Sequence, residues 1–188
     1  NPYSAIDIKS EGLLNQPGHG TATLAILAGN KVKYGNFDDY MGGAPFAEIV
    51  PVRLSKTVIL FQTSALVKAI YYAIDTKCEV ISMSMGGVAS KYWAEAVNEA
   101  YDKGVTIITA VGNNIGCKPT VNVVYPARFK RVIGVAGATW NDTPYFKYGL
   151  LSLKMQGNYG PENAMTYVLT AYTPNITWAE ISTGNQIS

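Results

Sequence analysis

The sequence predicts an α/β fold: three layers, with a mostly parallel sheet between helices on both faces. Three observations carry this expectation. Apolar strands alternate with helical stretches of 13–14 residues. The strands are nearly continuous apolar runs, as in a sheet covered on both sides. Glycines cluster where strands end, at Gly42-Gly43, Gly86-Gly87 and Gly112, as tight turns require. The length, 188 residues, suits one domain.

The elements follow in order. Residues 1–17 carry little periodicity and read as a loop. His19–Gly29 (HGTATLAILAG) is rich in small and apolar residues. It reads as a short buried helix that Gly29-Asn30 ends. Lys31–Gly43 is polar and turn-rich. Glu48–Leu54 (EIVPVRL) reads as a strand, with Pro51 pointing to an edge or a bulge. Thr63–Asp75 sets Leu66, Ala69, Ile70, Ala73 and Ile74 at helical spacing. Glu79–Met85 is a strand ending at Gly86-Gly87. Ser90–Lys103 is a second helix, with Ala94, Val97, Ala100 and Tyr101 on one face and Gly104 stopping it. Val105–Val111 is a β-branched strand ending at Gly112-Asn113-Asn114, and Arg131–Ala138 is another. If the strands are parallel, Ser84–Gly87 and Gly112–Asn114 leave the sheet on the same rim. In such sheets ligands bind beyond the carboxyl ends of the strands.

Composition narrows the function classes. Apolar residues make up 48% and charged residues 15%, which excludes disorder as the main state. A net charge of +2 without a long Lys/Arg cluster gives no electrostatic basis for binding nucleic acid. No apolar run approaches the ~18–20 residues of a membrane span. No basic start followed by an apolar stretch marks a signal peptide. Neither nucleic acid nor a membrane is therefore expected as a partner. The two cysteines, Cys78 and Cys117, lack the spacing of a zinc site. They flank two strands expected to lie side by side. A strand of about seven residues spans roughly 23 Å, whereas a disulfide needs Cα atoms within about 7 Å. Two free thiols are expected. No phosphate loop and no EF-hand is present, which sets aside a nucleotide-binding domain and leaves no metal ligands to name.

The chemistry-bearing candidates are few. His19 is the only histidine, between Gly18 and Gly20. A lone histidine is commonly structural, but flanking glycines leave room for another chain, and imidazole exchanges protons near neutral pH. Asn113 at a strand end is either a turn asparagine or an amide directed at a developing oxyanion. Ser84-Met85-Gly86-Gly87 is either a plain turn or an uncovered edge for an extended peptide.

In order, these segments resemble the subtilisin-like serine peptidases. The family's histidine block is similar to Gly18-His19-Gly20-Thr21 and the apolar run to Gly29. Its Gly-x-Ala-Pro turn is similar to Gly42-Gly43-Ala44-Pro45, and its cleft strand to Val80–Gly87. Its oxyanion strand resembles Gly104–Asn114, and its next loop and strand resemble Tyr125-Pro126-Ala127-Arg128 and Val132–Ala138. Tyr159-Gly160-Pro161 and Ala171–Asn175 match the approach to the nucleophile more loosely. The likeness covers residues 18–175.

The resemblance implies a serine endopeptidase with His19 and Asn113 catalytic. It implies that Ser84, Met85, Gly86, Gly87, Ala110, Val111 and Gly112 bind a peptide or protein substrate. Calcium is frequent in the family, but no ligand loop here is specific enough to assign one, and no other cofactor is implied. The family resemblance favours secretion over the cytoplasm. Two departures stand out. Asp7 lies 12 positions before His19 without the family's glycine turn, so it is not read as the triad acid. The Gly-Thr-Ser nucleophile block is absent, and Ser188 lacks the preceding Gly-Thr. Without the serine no acyl-enzyme forms. The chain is thus expected to be part of one larger domain, residues 18–188 being its core, partnered by the remainder of that domain and inactive alone. The alternative is a non-catalytic module of the same fold, serving binding or structure.

Overall fold

A computed structural model describes residues 18–55, 57, 59–60, 63–115, 122–148, 154–173, 178–180 and 185–187. The chain divides into two compact units, Asn1–Thr57 with Asn175–Ser188, and Val58–Pro174.

The first unit opens with α1 (His19–Ala28), which matches the expected helix. None of its residues is fully buried, and Ile26 and Leu27 are exposed, contrary to the buried helix expected. Its apolar residues run all round it. The hairpin and loop that follow it, among the described residues of this unit, do not cover such a helix. That hairpin is β1 (Lys31–Tyr34) and β2 (Phe37–Tyr40), paired Lys31↔Tyr40 to Tyr34↔Phe37. It forms where the sequence reads only as turn-rich. The signal was the two-residue Gly35-Asn36 connection, a common hairpin turn. The loop after β2 then closes the C-terminal end of α1. The amides of Gly42, Gly43 and Ala44 donate to the carbonyls of Gly29, Ile26 and Leu27 at 3.0, 3.0 and 2.7 Å. These are carbonyls that a helix end leaves unsatisfied. Gly42 makes the approach feasible, because a Cβ there would sit 2.6 Å from the Ala28 Cα. Glu48–Leu54 is not a strand. Pro51 has no N–H for a ladder, and among the described residues no strand pairs with it.

The second unit holds β3 (Ile59–Leu60), α2 (Thr63–Asp75), β4 (Val80–Met83), β5 (Gly86–Gly87), α3 (Lys91–Asp102) and β6 (Thr106–Ala110). It continues with β7 (Asn113–Ile115), β8 (Val132–Ala138), β9 (Phe146–Tyr148), β10 (Lys154–Gly157), α4 (Glu162–Met165) and β11 (Val168–Tyr172). Four strands form a fully parallel sheet in the order β11-β8-β6-β4. The fold is α/β, as expected. α2 buries Leu66, Ile70 and Ala73. Ser90 caps α3, its hydroxyl accepting from the Trp93 amide at 3.2 Å. α3 buries Trp93, Ala96, Val97 and Ala100. The expected inward face was one step off: Tyr101 is exposed and Trp93 takes the interior. An indole buries more area than any competitor on that helix. Tyr101 instead lies under the Arg131 guanidinium, 4.6 Å from its ring centroid, while Arg131 also pairs with Asp102 at 2.9 Å.

Burial alternates along the sheet. Ile107, Thr109, Val132, Gly134 and Ala136 are buried, whereas Ile108, Ala110, Ile133 and Val135 are half-buried. A second, antiparallel sheet of order β7-β10-β9 joins the end of β6 to Gly157. The last strands, β12 (Trp178–Glu180) and β13 (Asn185–Ile187), belong to the first unit and pair antiparallel. Cys78 is a half-buried free thiol, with its sulfur 3.5 Å from the Thr76 hydroxyl. Cys117 lies outside the described residues.

Candidate active site

β4 and β6 run parallel with Met83 opposite Thr109. The turns that follow them therefore leave the same rim, as the sequence implies. Thr109, itself buried, ties the two turns together by donating its hydroxyl to the Met85 carbonyl at 3.1 Å. Ser84 is exposed, and Met85, Gly86 and Gly87 are half-buried. Gly86–Gly87 is not an open edge. It pairs in parallel with Ile59–Leu60 on one side, and the Gly87 amide donates to the Tyr125 carbonyl at 2.8 Å on the other. The missing side chains that suggested room for a peptide let these neighbouring backbones approach instead.

The second turn reverses the chain from β6 into β7. Ala110 is half-buried and Val111 is buried. Gly112 takes φ +87°, and a Cβ there would lie 2.8 Å from Val124 Cγ2 and 3.0 Å from Asn158 Nδ2. Both the backbone region and the crowding exclude a side chain. Gly112→Ala is accordingly expected to destabilise the protein by about 1–3 kcal/mol, read as a lower denaturant midpoint with an unchanged m-value. Asn113 follows. It is exposed, its backbone is opposite Gly157, and its side-chain amide has no hydrogen-bond partner among the described residues. On the same rim, at the end of β11, the Tyr172 hydroxyl donates to Asp142 at 3.0 Å. That bond holds the phenol above its ordinary value.

One residue at this turn escaped the sequence reading. Asn158 is 3% exposed and bonds to Val111, Gly112 and Asn114. The only local hint was its place one residue before Tyr159-Gly160-Pro161.

His19 is the first residue of α1 in the first unit, half-buried, after Gly18 at φ 77°. Asp7 and Ser188 lie outside the described residues. Among the described residues no group of three or more His, Cys, Asp or Glu could hold a metal ion, and no helix is long and apolar enough to cross a membrane.

Residues 7–184 match the Subtilase family, peptidase S8. Thermitase of Thermoactinomyces vulgaris is 35% identical over 129 residues, which is 68% of this chain and 44% of thermitase. The minor extracellular protease Epr of Bacillus subtilis (strain 168) is 32% identical over 135 residues, 71% of this chain and 20% of Epr. This chain thus spans less than half the length of either relative. Among solved structures, the PatG macrocyclase in complex with peptide superposes with a TM-score of 0.53 at 20% identity, over 68% of this chain and 35% of that one. At that identity the likeness is one of fold alone. With its parallel sheet and its motifs in the family order, the chain belongs to the subtilase family of serine peptidases.

Proposed function

We propose that the intact protein is a serine endopeptidase that cleaves peptide bonds through an acyl-enzyme, and that this chain is part of its single peptidase domain. The family's aspartate and serine motifs are not among these residues, so the reading assigns both to sequence outside the chain. His19 takes the serine proton and returns it to the leaving amine. The Asn113 amide donates to the oxyanion of the tetrahedral intermediate. Ser84, Met85, Gly86 and Gly87, with Ala110, Val111 and Gly112, flank the bound peptide. No cofactor enters this reading. The observation that carries it is the exposed amide of Asn113, without a hydrogen-bond partner among the described residues, on the rim shared by the two turns.

A second reading, a non-catalytic module of the same fold, is favoured by one observation. The Gly86–Gly87 backbone is already paired on both sides, so an added peptide strand must displace a neighbour. Serine-directed fluorophosphonate labelling of the intact protein separates the two. The peptidase reading expects a stoichiometric adduct and loss of peptide hydrolysis on labelling. Neither adduct nor hydrolysis supports the module.

A further inference from the structure

We infer that Asn158 is a positioning residue for Asn113; this rests on the oxyanion role proposed above. The turn from Val111 to Asn114 has to present one exposed amide in a fixed direction. Its backbone passes through the left-handed region at Gly112, a residue with no side chain to hold it. Asn158 supplies the missing restraint. Its Nδ2 donates to the Val111 carbonyl at 3.3 Å, and its backbone amide donates to the Gly112 carbonyl at 2.8 Å. Its Oδ1 accepts from Asn114 Nδ2 at 3.2 Å. These three bonds bracket Asn113 from both sides and leave its own amide untouched.

The cost of this arrangement argues for a purpose. Asn158 is buried beside an apolar cluster that includes Val111 and Val123. A buried amide is unfavourable unless hydrogen-bonded, and an apolar side chain of similar size would fill the space without that requirement. Asn114 Oδ1 is buried without a partner among the described residues. The bond to Asn158 is then what orients the Asn114 amide. Catalysis by a prealigned donor depends on such fixed geometry.

The test is a kinetic cycle in the intact protein. Asn158→Ala is expected to lower kcat about ten- to hundredfold, with KM within about threefold of wild type. In an Asn113→Ala background the same substitution is expected to lower kcat less than about threefold, because its effect passes through the amide already removed. An equal loss in both backgrounds, or an unchanged kcat in Asn158→Ala, overturns the inference. If Asn158→Ala yields no folded protein, Asn114→Ala at its half-buried position carries the same cycle. Its expected effect is a kcat loss of about three- to tenfold that vanishes without Asn113, and an undiminished kcat overturns the inference. Loss of activity in Asn113→Ala alone leaves the peptidase reading standing while the positioning role fails. Normal kcat in Asn113→Ala overturns the oxyanion role of Asn113 and this inference with it while the peptidase reading stands, and no turnover in the wild type overturns both readings.

Discussion

His19→Ala in the intact protein is expected to lower kcat by about 10⁶-fold, the scale for losing the triad histidine, for which subtilisin is itself the type case. The physical reason is that a serine hydroxyl is a poor nucleophile until a base takes its proton. No other histidine in these 188 residues can substitute. KM should change little, because the imidazole acts on the proton rather than on the bound peptide. The fold should survive. His19 is at the first position of α1 and only half-buried, and alanine is the strongest helix former. The other end of the helix is held by Gly42, Gly43 and Ala44. Steady-state turnover and fluorophosphonate labelling rate should fall together, with unchanged far-ultraviolet circular dichroism. Turnover within tenfold of wild type would remove His19 from the mechanism.

What could be read from sequence, and what could not, follows from which interactions are local. α2 over Thr63–Asp75 and α3 with its stop at Gly104 were legible, because helical spacing and a terminating glycine are properties of neighbouring residues. β6 and β8 were legible as apolar runs. Burial was less legible: Trp93 displaced Tyr101 from the α3 interior, a choice made by neighbours distant in sequence. Glu48–Leu54 carries a strand pattern, but a strand exists only with a partner. β5, β7 and β10 are two to four residues long, too short for periodicity to register. The candidate site divides in the same way. His19 and Asn113 stood out as residues in motifs. Asn158 did not, since its partner Val111 is 47 residues away and nothing in either neighbourhood announces the other. Gly86–Gly87 was noticed as a glycine pair, yet glycine says only that something comes close. The structure puts Leu60 and Tyr125 there.

Asn113→Ala is expected to lower kcat by about 10²–10³-fold, or about 2.7–4 kcal/mol of transition-state stabilisation, the range for one oxyanion-hole donor with subtilisin again the type case. KM should stay nearly constant, because the ground-state carbonyl gains much less from the donor than the oxyanion does. The geometry lets this loss be separated from a loss of folding. The Asn113 side chain is exposed and makes no hydrogen bond among the described residues, so little stability is tied to it. The backbone keeps its pairing opposite Gly157, and the neighbouring carbonyls keep their bonds to Asn158. The thermal midpoint should therefore move by no more than about 2 °C. Asn113→Asp sharpens the result. It preserves size and turn preference but replaces the donor with an acceptor that carries negative charge. Repulsion of the oxyanion should make it at least as slow as the alanine variant, and a structural role predicts near-normal rates instead. An aspartate variant with kcat close to wild type would show that the amide is a turn residue and that another group holds the oxyanion.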